Sequence, residues 1–178
     1  MGSVTVTFDF ATDAQGFVAT PGGPNTTLSY DSAVGNPAGS LKSRVVGKNI
    51  NEQFVNDWRL ETTFEGLGVP AGSTVTGITS ASMQSKCTEF NHGAHSTRGP
   101  AAIGSGVIFF NAWLSAEQTF RGVDADWVTS LGTDVTGLSL PSNLLVSIDI
   151  QNKLDTGASD SAAVSLNQDQ LIFTILYD

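Results

Sequence analysis

The feature that most constrains this chain is a two-residue alternation of apolar and polar side chains that recurs from one end to the other. In Val4-Thr5-Val6-Thr7-Phe8-Asp9-Phe10 the valines and phenylalanines fall on one face, and the threonines and the aspartate on the other. Successive side chains of an extended backbone point to opposite sides, so this is the pattern of a strand buried on one face. The stretch from Asp57 to Phe64 repeats it, with Trp58, Leu60, Thr62 and Phe64 set against Arg59, Glu61 and Thr63. Leu171, Phe173, Ile175 and Tyr177 form a third row near the C-terminus. Further strands are predicted over 26–30, 40–46, 73–84, 106–115 and 144–150. Between them stand turn formers: Pro21-Gly22-Gly23-Pro24, Gly35-Asn36-Pro37, Gly99-Pro100 and Pro141-Ser142-Asn143. Only Ile50–Trp58 and Leu114–Phe120 carry a hint of a helical turn, and neither is long enough to make a helix alone. Eight or so antiparallel strands with long loops predict an all-β, two-sheet sandwich, a jelly roll. No repeat or linker interrupts the pattern, so one domain is expected over residues 1–178.

Charge narrows the partners. Only 14% of residues are charged, against the usual ~25%, and the net charge is −9. The eight Lys and Arg are scattered, so there is no basic patch to release counterions from phosphates, and nucleic acid is excluded as a direct partner. An acidic surface suits neutral polymers, cations or self-association. No apolar run approaches the ~20 residues of a membrane-spanning helix, so no membrane insertion is expected. Cys87 is the single cysteine, which rules out an intramolecular disulfide. The opening Met-Gly-Ser-Val-Thr-Val-Thr-Phe has neither a basic nor an apolar leader region, so no signal peptide is expected in this chain. That leaves a virion protein, such as a phage's, or an extracellular domain that follows Met-Gly-Ser.

Three stretches carry a family resemblance. Phe8-Asp9-Phe10 followed by Gly16-Phe17, then Gly39-Ser40-Leu41-Lys42, then Asp169-Gln170-Leu171-Ile172-Phe173-Thr174 come in the order seen in galactose-binding-like jelly rolls. The chain resembles the carbohydrate-binding modules built on that fold. It departs from them at Phe17, where Trp is common, and at Gln170, where a second Asp or an Asn is frequent; residues 60–140 match only in strand rhythm. The resemblance implies that the first and last strands pair, and that the early start of strand one serves to close the sheet. It also implies a structural calcium near those ends, held by Asp9 and Asp169 with Asp31 and Asp13 as helpers. Calcium takes six to eight oxygens, many from backbone carbonyls.

Several other motifs carry residue types able to do chemistry. Cys87-x4-His92-x2-His95, with Glu89 between, holds metal-ligand types, but its spacing is no recognised closed zinc site, and a free Cys commonly behaves as a small hydrophobe. Lys86–Gly106 reads as a long connection bearing Phe90, His92, His95 and Arg98, either to bind a ligand or to contact a neighbouring subunit. Trp58 and Trp113 sit in apolar strand patterns and are expected in the core. Trp127 follows Arg121, Asp124 and Asp126, an aromatic-plus-polar mixture that either forms a binding site or anchors a loop with the ring turned inward. Asn25-Thr26-Thr27 is a glycosylation sequon, meaningful only on a eukaryotic secretory route.

Enzyme motifs are missing. Gly104-Ser105-Gly106 lacks a nucleophile elbow, and Gly35–Lys42 lacks the order of a phosphate loop. Glu61 and Glu65, four apart on a strand, would stand roughly 13 Å apart, too far for the ~5–10 Å of glycosidase pairs. The sequence therefore points to a non-catalytic, carbohydrate-binding-module-like protein displayed on a phage or virus particle as a decoration or tail-associated protein. It would act as a homo-oligomer or on a lattice. One alternative is a purely structural virion protein that makes subunit contacts without glycan. Another is a hydrolase with carboxylates gathered from several strands.

Overall fold

The computed structural model describes residues 1–23, 25–35, 37–47, 54–90, 95–104, 107–108, 118–154 and 162–178. The strands are β1 (Gly2–Asp9), β2 (Val18–Thr20), β3 (Thr26–Gly35), β4 (Ala38–Val46), β5 (Phe54–Thr63), β6 (Thr74–Glu89) and β7 (His95–Gly104). They continue with β8 (Val107–Ile108), β9 (Gln118–Phe120), β10 (Val128–Leu131), β11 (Val135–Pro141), β12 (Leu145–Leu154) and β13 (Ala163–Tyr177). The first sheet runs β10-β6-β13-β4-β3, with β1 also on β13 and β11 also on β6. The second runs β2-β5-β12-β7-β8, with β9 also on β7. All pairings are antiparallel, and the two sheets form a jelly-roll sandwich.

The terminal strands pair as expected, from Gly2 opposite Tyr177 to Asp9 opposite Gln170. β6 lines one edge of β13 from Ser165 to Tyr177. The other edge is shared: β4 takes Ala163–Gln168 and β1 takes Gln170–Tyr177. The change of partner falls at Asp169, a buried residue in a bulge of β13, whose carbonyl accepts the Phe10 N–H at 3.0 Å. At this junction β4 begins hard against the end of β1. A Cβ on Gly39 would come within 2.4 Å of the Phe10 carbonyl oxygen and 2.6 Å of Ala11 Cα, so only glycine fits. Tyr30 completes the junction by donating its hydroxyl to the Phe10 carbonyl at 2.7 Å.

Two expectations are corrected. Phe54–Trp58 and Gln118–Phe120, read as helical turns, are strand; the segments are too short to hold a helix, and pairing with β12 and β7 satisfies their backbone instead. Lys86–Gly106 is not a long loop. Lys86–Glu89 finishes β6, and His95–Gly104 is β7. Gly99-Pro100 suggested a break, but it coincides with a bulge between Asp149 and Gln151 on β12, where a residue without an N–H is tolerated. The predicted strand 106–115 is described only at Val107–Ile108; Trp113 lies outside the described residues.

The main core joins the sheets through Phe8, Phe10, Met83 and Phe173 on one side and Trp58, Ile148 and Ile150 on the other. Phe17 stands edge-on to both Phe8 and Phe10, at 5.1 and 5.5 Å between ring centroids, so the turn after β1 is held by burial of its aromatic residue. A smaller cluster holds Val45, Cys87, Leu154, Val164 and Leu166. Burial, with Asp124 nearby, pushes the Cys87 thiol up to about 12, so it packs as a hydrophobe. Between the clusters lies a polar bridge. Asn152 of the second sheet donates to Ser43 Oγ at 2.9 Å and exchanges amide hydrogen bonds of 3.1 and 3.0 Å with Gln168 of the first.

On the outer face of the first sheet Arg44 holds Glu89 in a fork, Nε–Oε2 at 2.6 Å and Nη2–Oε1 at 3.0 Å, and Ser165 donates its hydroxyl to the same carboxylate. The Arg44 hydrogen bonds, against the opposing effect of burial and helped by Ser165 and by the charges of Arg44 and Lys42, lower Glu89 from 4.5 to about 2. A depressed carboxylate contributes stability that is full above its unfolded pKa and is lost as pH falls through the folded one. Glu89→Gln is expected to destabilise the protein at pH 7 by about 1 kcal/mol, since the pair is partly exposed. Urea titrations should show this difference shrinking between pH 4.5 and about 2.

Candidate functional site

The second sheet turns a polar face away from the core. On β5, Trp58 and Leu60 point inward, so alternation sends Asp57, Arg59 and Glu61 outward. On β12, Val146, Ile148 and Ile150 are inward, which puts Ser147 and Asp149 on the outer face. The register sets Val18 of β2 and Asp149 of β12 on either side of Arg59. A cleft of about 450 Å³ opens here, lined by Gly16, Val18, Thr20, Arg59 and Glu61. That lies within the size range of small-molecule and sugar pockets. Gly16 belongs to a tight turn closed by the Phe17 N–H on the Ala14 carbonyl at 2.9 Å, with Gln15 and Gly16 both at positive φ. Phe17 anchors the turn in the core, and β2 follows at once along the cleft edge.

Arg59 is fixed from below. Asp149 is fully buried and takes the guanidinium side-on, Nε–Oδ1 at 2.8 Å and Nη2–Oδ2 at 3.0 Å, while Ser147 donates to Oδ1 at 2.9 Å. The Asp149 hydrogen bonds, then the charges of Asp149, Asp57 and Glu61, raise the Arg59 pKa against the effect of burial. A guanidinium has five N–H donors. Two are spent on Asp149, which leaves three for a ligand on a side chain that is 43% exposed. Glu61 adds an acceptor, Thr20 a hydroxyl and Val18, two-thirds exposed, an apolar surface.

The residues expected from sequence lie elsewhere. Trp127 is half-buried beside β6 with Lys86 Nζ 6.0 Å from its ring centroid, and Lys86 donates to the Ala125 carbonyl. Asp124 pins the same loop to β6: its carboxylate accepts the Cys87 N–H at 2.9 Å, and its own N–H donates to the Cys87 carbonyl at 3.0 Å. Asp126 and Arg121 are exposed. His95 pairs with Phe120, one residue before Arg121, and Arg98 stands opposite Gln151 in the second sheet; His92 lies outside the described residues. Trp127 and Asp124 are therefore set against one sheet and Arg98 is in the other. Trp58 is in the core as expected. Glu65 accepts the Ser142 hydroxyl in the turn after β5, away from the strand that carries Glu61.

Of the acids expected to hold calcium, Asp9 is exposed and accepts the Ala11 N–H, and Asp169 is buried one position from Asp9's strand partner. Asp31 accepts the Ala33 N–H and meets Lys42 at 3.5 Å. Asp13 accepts the Gln15 N–H. Among the described residues, no three His, Cys, Asp or Glu side chains are grouped to hold a metal.

The sequence matches no family model, and no curated protein matches it either. Solved structures similar in fold include carbohydrate-binding modules. The CBM22-1–GH10 modules of Clostridium thermocellum endo-1,4-beta-D-xylanase 10B, complexed with xylohexaose, share 13% identity at a TM-score of 0.47; the match covers 96% of this chain and 28% of that one. The family 11 carbohydrate-binding module of the same organism, in complex with a beta-1,3-1,4-mixed-linked tetrasaccharide, shares 10% at 0.44, over 95% and 94% of the two chains. A chain of infectious bursal disease virus, Gt strain, shares 7% at 0.40, over 98% and 32%.

The ion pair beneath the cleft has a measurable consequence. Arg59→Met leaves Asp149 buried without its cation and is expected to cost about 3 kcal/mol in urea unfolding. Adding Asp149→Leu should recover most of that loss, because the buried charge is then gone.

Proposed function

We propose that this chain is a non-catalytic carbohydrate-binding protein that takes a glycan in the cleft beside Arg59. The observation that carries the reading is the rigid Arg59–Asp149 pair at the cleft, which presents three fixed donors beside an acceptor, a hydroxyl and an exposed valine. Sugars offer alternating hydroxyls and C–H faces, and such a site meets both. A non-catalytic role is supported by the carboxylates. Glu61 is the one acid lining the cleft among the described residues, Asp57 stands roughly 13 Å along the strand, and Asp149 is committed to Arg59. Trp127, lying against Lys86, serves in this reading as a loop anchor.

Display on a phage or virus particle, or at an extracellular surface, belongs to the same proposal and draws on the surface chemistry: few charges, with Ser, Thr, Asn and Gly in their place. A purely structural virion role is the rival outcome. A broad array of polysaccharides and oligosaccharides, run with calcium present, separates them. Binding by the intact chain that weakens at least tenfold in Glu61→Gln, and survives Trp127→Ala, is expected. Silence of the intact chain across the array would sink the reading in favour of subunit contacts.

Calcium is the one cofactor in the proposal. Asp9 and Asp169 would supply its carboxylates and backbone carbonyls the rest of the oxygen shell. The expected result is a Tm several degrees higher in millimolar calcium than in chelator, lost in Asp169→Asn. An unchanged Tm removes calcium from the proposal.

A further inference from the structure

We infer that the cleft recognises a vicinal diol, two free hydroxyls on neighbouring carbons of a sugar ring, because Asp149 leaves Arg59 only the end of its guanidinium with which to grip. This deepens the glycan-binding reading and rests on it.

A guanidinium is planar and holds its N–H bonds in a fixed fork. Two of its edges offer those bonds as parallel pairs: the side, Nε with Nη2, and the end, Nη1 with Nη2. Asp149 takes the side edge, at 2.8 and 3.0 Å. Asp149 is fully buried, so that edge is covered, and the exposure of Arg59 belongs to the rest of the side chain, at the cleft. The end edge is the parallel pair left for a ligand. Its plane is held, because the carboxylate that fixes it is itself fixed by the Ser147 hydroxyl.

Two N–H bonds set side by side suit two oxygens set side by side. Hydroxyls on adjacent ring carbons stand close enough to take one bond each. Hydroxyls separated by a further ring carbon are spread too wide and satisfy one bond at a time. The lining supplies what else a diol needs. A hydroxyl that accepts from Arg59 still has its own proton to donate. Glu61, exposed two residues along the same face of β5 and roughly 7 Å away, is the acceptor on that side. Val18 stands opposite Arg59 in the β2–β5 register, two-thirds exposed, where the C–H surface of the ring can rest.

Linkage decides whether a polymer keeps such a pair. In glucose, galactose, mannose and xylose a 1,4 link leaves the hydroxyls on carbons 2 and 3 free together, whereas a 1,3 link leaves those on carbons 2 and 4. The test measures the affinity of the intact chain for 1,4-linked and 1,3-linked polymers of each sugar, with 1,6-linked polymers of the three hexoses. For any sugar that binds, the 1,4-linked polymer is expected to bind at least tenfold tighter than the 1,3-linked one. The 1,6-linked polymer keeps adjacent hydroxyls in a chain of different shape, and it too should bind tighter than the 1,3-linked one. Arg59→Lys keeps a cation beside Asp149 but has no paired edge, so the preference for 1,4 over 1,3 linkage should fall below threefold. Its Tm is recorded alongside, and the linkage comparison on the intact chain stands whether or not this variant folds. Equal or tighter binding of the 1,3-linked polymer would overturn the inference while leaving the glycan reading standing. A preference unmoved in folded Arg59→Lys would overturn it too. If no polymer of any linkage binds the intact chain, the glycan reading falls and this inference with it.

Discussion

The structure depends on how one long strand is shared. β13 offers its full length to β6 on one edge, and divides the other between β4 and β1. Both neighbours on that divided edge must stop at the same place, and the chain meets this demand locally: a bulge at Asp169, a glycine at 39 with no room for a Cβ, and a tyrosine hydroxyl on the Phe10 carbonyl. Strand one is needed to complete that edge, and it pairs with β13 from Gly2 to Asp9. The turn that follows is fixed by the same logic. Phe17 enters the core beside Phe8 and Phe10, which leaves Gly16 and β2 at the rim of the second sheet, next to the cleft.

The cleft inherits its rigidity from residues that never reach it. Trp58 on β5, and Ile148 and Ile150 on β12, are buried against the first sheet with Leu60 packed partly buried beside them, and this decides which way Arg59 and Asp149 point. Desolvating a carboxylate completely is costly, and Asp149 is balanced by a two-bond grip on Arg59 and a hydroxyl from Ser147. The guanidinium that faces the cleft is consequently a fixed object, with little side-chain entropy left to lose.

Much of the architecture was legible in the sequence because strand period and turn chemistry are local properties. The alternations at Val4–Phe10, Trp58–Phe64 and Leu171–Tyr177 gave the sandwich, the pairing of its ends and the burial of Trp58. Where local signs mislead, strand pairing outweighs them. Gly99-Pro100 marked a break to the eye, yet the β12 partner absorbs it in a bulge. The cleft was harder to see, since Gly16 and Val18 lie some forty residues from Arg59 and Glu61 and meet them only through the register of β2 with β5. One signal was present all the same. Asp149 is a lone carboxylate in the apolar run Val146-Ser147-Ile148-Asp149-Ile150, and a buried acid needs a partner nearby. Of the acidic residues near Trp127, Asp124 serves the backbone of β6.

The bridge of Asn152, Gln168 and Ser43 has a bearing on how such a sandwich can change. Apolar contacts between sheets tolerate sliding, whereas two amides that exchange hydrogen bonds are satisfied in one alignment only. A slip of either sheet would strand both amides in the interior, so the bridge works as a key that sets which layer position faces which. It also ties the histories of the two strands together. Losing either amide alone exposes the other to an uncompensated burial, while replacing both with apolar groups of similar shape leaves nothing stranded. Descendants of this sequence are therefore expected to keep the pair or to lose it whole, and a lineage that has lost it would be free to re-seat one sheet upon the other.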